Sequence, residues 1–83
     1  MMDVEVGARL TALEILLGNL IAERLRATPD PTEASGQALK RILEQINALP
    51  LAGPDAGMHA ALRSQIGDAA ANVMRMALER ALG

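Results

Sequence analysis

Proline is confined to two short stretches of this chain, at positions 29 and 31 and at positions 50 and 54. A proline inside a helix removes a backbone hydrogen bond and clashes with the preceding turn, so each pair separates one helix from the next. No segment between them alternates apolar and polar residues with the two-residue period of a strand. The pattern predicts three helices, at about residues 4–27, 31–49 and 56–82, in a single all-helical domain spanning residues 1–83.

Composition also favours a globular helical chain. Sixteen alanines and thirteen leucines stand against three valines, and alanine and leucine lose little side-chain freedom in a helix. The chain is 51% hydrophobic and 22% charged, which argues against disorder. It has no cysteine for a disulfide or a thiolate metal site, and no apolar run of the ~20 residues that a membrane span needs.

Aspartates mark the predicted helix starts. Asp3 and Asp55 stand where the first and third helices are expected to begin, and aspartate is a preferred N-cap. Asp30 precedes Pro31, which suits a first helical turn, and Glu33 completes a capping box. Helix 2 then carries one apolar stripe about 120° wide, formed by Leu39, Ile42, Leu43, Ile46 and Leu49.

Helix 1 carries a broader apolar arc, about 180° wide at about 100° per residue, formed by Val6, Leu10, Leu13, Leu16, Leu17, Leu20, Ile21 and Leu25. Since a helix on one neighbour needs an arc of only about 100°, helix 1 is predicted to be the central element, packed between two neighbours. The short connection at residues 28–30 predicts that helices 1 and 2 are antiparallel neighbours. The expected fold is an all-α, up-down-up three-helix bundle, with a helical hairpin completed by dimerisation as the alternative.

Helix 3 is predicted to carry two apolar seams. The first is an ordinary core stripe, formed by Met58, Leu62, Ile66, Ala69, Val73 and Met76. The second is rotated from it and lies in the C-terminal half of the helix, where a three-helix monomer offers it no evident cover. Contiguous exposed apolar surface marks interaction sites. We therefore predict an interface made of Ala70, Met74, Leu78, Ala81 and Leu82, together with Val4 and Ile15 outside the main arc of helix 1.

Candidates for chemistry are few. His59 is the one side chain that titrates near neutral pH when unperturbed, and Asp55 precedes it by one helical turn. Ser64 lies about 140° further round the helix, which is poor geometry for a serine relay. One histidine without cysteines or a Glu-x-x-His pair gives no metal set. We predict no catalytic, metal or cofactor-binding residues.

These observations predict a non-enzymatic helical interaction protein, a homodimeric adaptor, regulator or small assembly subunit, with a different protein as the alternative partner. The other functional class is a nucleic-acid-binding regulator that uses the start of helix 3. The net charge of -2 and the lack of aromatic residues disfavour it. Asp3 and Glu5 stand where a secretory signal carries positive charge, which predicts a cytoplasmic protein. The excess of arginine over lysine suggests a bacterial or phage gene.

Overall fold

The computed structural model describes residues 4–51 and 55–83. Three helices account for most of them: α1 (Val4–Arg26), α2 (Pro31–Asn47) and α3 (Ala56–Leu82). No strand occurs within these two ranges, so the predicted all-α, three-helix architecture is confirmed. The predicted cap at Asp3 and the centre of the turn before α3 lie outside the described residues.

Side-chain caps fix the starts of α2 and α3. The Asp30 carboxylate accepts a 3.1 Å hydrogen bond from the Glu33 backbone N–H, and Asp55 accepts one of 3.0 Å from the Met58 N–H. Each bond satisfies one of the four N–H groups that a helix start leaves without an intrahelical partner. The two helices therefore begin where the sequence places them, because the cap chemistry is local.

The order of packing differs from the prediction. α3 is the central helix and packs against both α1 and α2, while α1 and α2 touch each other little. The prediction that helix 1 is central and lies beside helix 2 is therefore wrong. Small residues explain the difference, since alanines and a glycine line the buried side of α3 and let a neighbour approach on each flank: Gly67, Ala70, Ala71, Ala77 and Ala81.

The helices run up, down and up. Leu43 of α2 lies against Gly67 of α3, and the Arg63 side chain of α3 reaches back to the Leu49 carbonyl at 2.7 Å. These contacts make α2 and α3 antiparallel. Near the C-terminal end of α3, Arg26 Nη2 donates a 3.0 Å hydrogen bond to the Arg80 carbonyl. The C-terminal ends of α1 and α3 therefore lie together.

The bundle is flat and its core is small. The Cα positions extend over 44 × 31 × 14 Å, so the molecule is much thinner than it is long. Only five hydrophobic residues among those described are buried: Ala22, Leu25, Ile46, Met74 and Ala77. Because α1 makes few contacts with α2, α1 is covered mainly by α3 within the described residues.

Candidate interaction surface

α1 has two sides of opposite character. Towards α3 it presents Gly18, Ala22 and Leu25, which are buried. Ala22 and Leu25 form one cluster with Ala77 of α3, in which Ala22 is 1% and Ala77 0% exposed. Alanine against alanine brings the two helix backbones close together and uses little of the apolar side-chain volume of α1. The large apolar residues of α1 lie elsewhere.

We call the opposite side of α1 the leucine stripe, which consists of Leu10, Leu13, Leu16, Leu17 and Leu20. Each of these leucines is between 50% and 60% exposed. From Val4 to Leu17 only Gly7 is even half-buried. The prediction that the main arc of helix 1 is buried is therefore wrong for these five residues and for Val6, which is 44% exposed. Only Ile21 and Leu25, near the end of the helix, contribute to the core.

The stripe has the spacing of a coiled-coil seam. Leu10, Leu13, Leu17 and Leu20 recur at intervals of three, four and three residues, which are successive a and d positions of a heptad. In the same frame Arg24 is the next a position. Leu16 stands at g, between Arg9 and Glu23 at the neighbouring g positions. A row of leucines flanked by charges at g is the arrangement with which one helix interlocks with another.

The charges beside the stripe are in water. Arg9 Nη2 pairs with Glu5 Oε1 at 2.6 Å within α1, and their side chains are 75% and 69% exposed. An exposed pair of this kind contributes little to stability, so Arg9 exchanges partners at small cost. The apolar stripe is therefore bordered by a charge that is available to a neighbouring helix.

The amount of exposed surface points in the same direction. The chain exposes 6170 Å². A folded monomer of 8.7 kDa is expected to expose about 4,700 Å². The excess, about 1,400 Å², is larger than the roughly 800 Å² that each partner contributes to a standard protein interface.

The predicted second seam of helix 3 has an intramolecular partner. Met74 is buried, at 5% exposure, and Leu78 and Ala81 pack half-buried against the cluster of Ala22, Leu25 and Ala77. The premise that α3 has no cover here is wrong, because α1 supplies it. Ala70 is half-buried as well. Leu82, Val4 and Ile15 are exposed, at 62%, 89% and 46%. Their part in an interface stays a prediction.

Sequence periodicity identified the leucines as a common face but did not show that this face is the open one. The signal that distinguishes the two sides of α1 is residue size. Gly18 and Ala22 share the side that packs on α3, whereas the leucines occupy the other. A helix side made of small residues can pack closely against a neighbouring helix, just as a side made of large apolar residues can.

The start of α3 is engaged within the chain. The Arg63 guanidinium donates to the Leu49 carbonyl at 2.7 Å, and His59 is half-buried. The Asp55 carboxylate accepts a hydrogen bond from the Met58 N–H. An open groove between α2 and α3 runs past Arg63, Ser64, Gly67 and Asp68. At this start of α3, His59 and Arg63 are half-buried, whereas Ser64 and Gln65 are exposed.

Within residues 4–51 and 55–83, no three histidine or acidic side chains converge as metal ligands would. None of the helices described is long and apolar enough to cross a membrane. Comparison of the chain with protein-family models, with curated proteins and with solved structures finds no match.

Proposed function

We propose that this protein is a non-enzymatic interaction protein that forms a homodimer through the leucine stripe of α1. The observation that carries the proposal is the exposure of five leucines in coiled-coil spacing on one side of one helix. Isolated exposed leucines are ordinary on protein surfaces, but a contiguous apolar patch marks an interaction site.

A second copy of the chain is the occupant that the surface fits best. Heptad leucines interlock with heptad leucines, and the identical helix supplies them in matching number and length. A dimer also accounts for the surplus of accessible surface, since each copy exposes about 1,400 Å² more than a folded monomer of its mass. Small scaffolds with few core residues commonly gain their missing stability by oligomerising.

The dimer would act as an adaptor, regulator or small assembly subunit. Two-fold pairing through α1 leaves the outer sides of α2 and α3 open in each copy, so every such surface is presented twice. Among these surfaces is the groove beside Arg63 and Asp68, which borders α2 and lies away from α1.

Light scattering with refractive-index detection tests the proposal, because a chain without Trp or Tyr absorbs weakly in the near ultraviolet. We expect the wild type to have twice the 8.7 kDa mass of one chain at micromolar concentration. Leu13→Glu introduces one charge from each copy into the apolar seam, and we expect this variant to be a monomer.

Leu49→Glu is the matched control, since Leu49 is 40% and Leu13 54% exposed and the substitution is the same. Leu49 follows the end of α2, outside α1 and outside the predicted interface, and the variant is expected to remain a dimer. A wild-type mass of 8.7 kDa at high micromolar concentration would overturn the proposal. So would a dimer that persists in Leu13→Glu.

A further inference from the structure

We infer that, in the proposed dimer on which this step rests, the two copies of α1 run antiparallel. Arg9 of each copy then lies opposite Glu23 of the partner subunit. Three features of α1 carry the inference: the position of the heptad leucines within the helix, the arginine at the end of the seam, and the charges at the g positions.

The first feature is register. In an antiparallel coiled coil an a residue of one helix faces a d residue of the other. Leu10 then faces Leu20 of the partner subunit, and Leu13 faces the partner's Leu17. Both pairings are centred on residue 15. Residue 15 is also the midpoint of Val4–Arg26, so this register overlaps the two helices over their whole length and leaves no leucine beyond the end.

The second feature is Arg24, which continues the seam at the next a position. Parallel helices pair a with a, and the two Arg24 side chains would meet inside the seam. Like charges brought together away from water are costly. In the antiparallel register Arg24 faces an apolar d position, Val6 of the partner subunit. The long Arg24 side chain extends past this valine to solvent.

The third feature is the g positions, which adjoin one another in antiparallel pairs. Leu16 lies beside Leu16 of the partner subunit at the centre, and Arg9 lies beside the partner's Glu23 on both sides of it. The apolar pair therefore occupies the middle and an opposite-charge pair stands at each end. On the other side of the seam, at the e positions, Glu14 lies near the partner's Glu14. Both carboxylates contact water, so their repulsion is weak.

Cysteine cross-linking distinguishes the two orientations, because the natural chain has no cysteine. Leu10→Cys and Leu20→Cys are prepared separately and together, mixed in denaturant, refolded and mildly oxidised. In antiparallel helices Leu10 lies about 15 Å along the axis from Leu10 of the partner subunit, too far for a disulfide. We therefore expect a covalent dimer only in the mixture. In parallel helices each variant alone would form it.

Arg9→Cys and Glu23→Cys form a second pair that leaves every leucine in place, joined with a short bismaleimide. We expect covalent dimers from the mixture and none from either variant alone. Light scattering under reducing conditions shows first that each variant is dimeric. Self-linked Leu10→Cys from a dimeric sample would overturn the antiparallel arrangement and leave the dimer standing. Monomeric wild type would overturn the dimer itself.

Discussion

Gly67 of α3 lies so close to α2 that a Cβ at position 67 would stand 3.2 Å from Leu43 Cδ2. Glycine in the middle of a helix is less favourable than alanine by about 1 kcal/mol. The close approach of α2 offsets part of this cost, because the missing side chain lets Leu43 pack onto the α3 backbone. The contact joins the C-terminal half of α2 to the middle of α3.

Gly67→Ala is expected to stabilise the fold by less than about 1 kcal/mol. The gain in helix propensity is partly lost because Leu43 must move by a few tenths of an ångström. Leu43 is 36% exposed, and Cδ2 is the far end of its side chain, so it has room to yield. Gly36→Ala is the control, since nothing lies within 4 Å of a Cβ there. Gly36→Ala is expected to raise the free energy of unfolding by the full amount of about 1 kcal/mol, measured by urea unfolding. Destabilisation by Gly67→Ala would show that Leu43 is held rigidly.

Ala77 has no room for a larger side chain. It is 0% exposed and lies in the cluster with Ala22 and Leu25. Ala77→Leu is expected to lower the free energy of unfolding by about 1–3 kcal/mol, because it forces α1 away from α3. Ala69→Leu, on an exposed position of the same helix, is expected to change it by less than about 0.5 kcal/mol. Circular dichroism during urea unfolding measures both. Equal effects at the two positions would contradict the packing of α1 on α3.

The ends of the helices could be predicted from the sequence because they depend on neighbouring residues. The Asp30–Pro31 pair and Asp55 set the starts of α2 and α3 by contacts within one turn. The helices also have the expected up-down-up order. That order follows from the short connections between the helices, which reverse the chain direction each time.

The choice of packing side could not be predicted in the same way. Periodicity shows that the leucines of α1 share a side, but it does not show which side meets a neighbour. The contact of Ala22 with the Ala77 cluster decides that question, and it depends on small residues that carry little hydrophobic signal. The same contact covers Leu78, which the sequence suggested was open. The open apolar surface therefore lies on α1, whereas the sequence predicted it on α3.

Asp30 is expected to contribute measurably to stability through its cap. Its carboxylate accepts from the Glu33 N–H at 3.1 Å. Asp30→Ala leaves that donor without its protein partner and is expected to destabilise the fold by about 1 kcal/mol. Asp30→Ser keeps an acceptor at the N-cap and should retain most of the stability. Thermal unfolding of the two variants gives the comparison. Similar losses in both would mean that the cap hydrogen bond is not the cause.

Reversing one of the charges that border the leucine stripe should weaken the dimer, and reversing both should restore it. In an antiparallel dimer Arg9→Glu places two like charges opposite each other at two sites. We expect the dissociation constant of the dimer to rise about tenfold, equivalent to about 1.4 kcal/mol. Adding Glu23→Arg to the same chain should restore the original affinity. Glu5→Gln is the control, because it removes the intrahelical pair with Arg9 and leaves the seam unchanged. Restoration by Glu14→Arg instead would indicate parallel helices.

Glu14 distinguishes the two orientations by the sign of its effect. In the antiparallel dimer Glu14 lies near Glu14 of the partner subunit, so Glu14→Gln removes a repulsion and is expected to tighten the dimer up to about fivefold. In a parallel dimer Glu14 would face the partner's Arg9, and the same substitution would remove an attraction and weaken it. Sedimentation equilibrium measures the dissociation constant. Glu44→Gln, on an exposed position of α2, removes the same charge away from the stripe and is expected to leave the constant unchanged. A weaker dimer in Glu14→Gln alone would contradict the antiparallel arrangement.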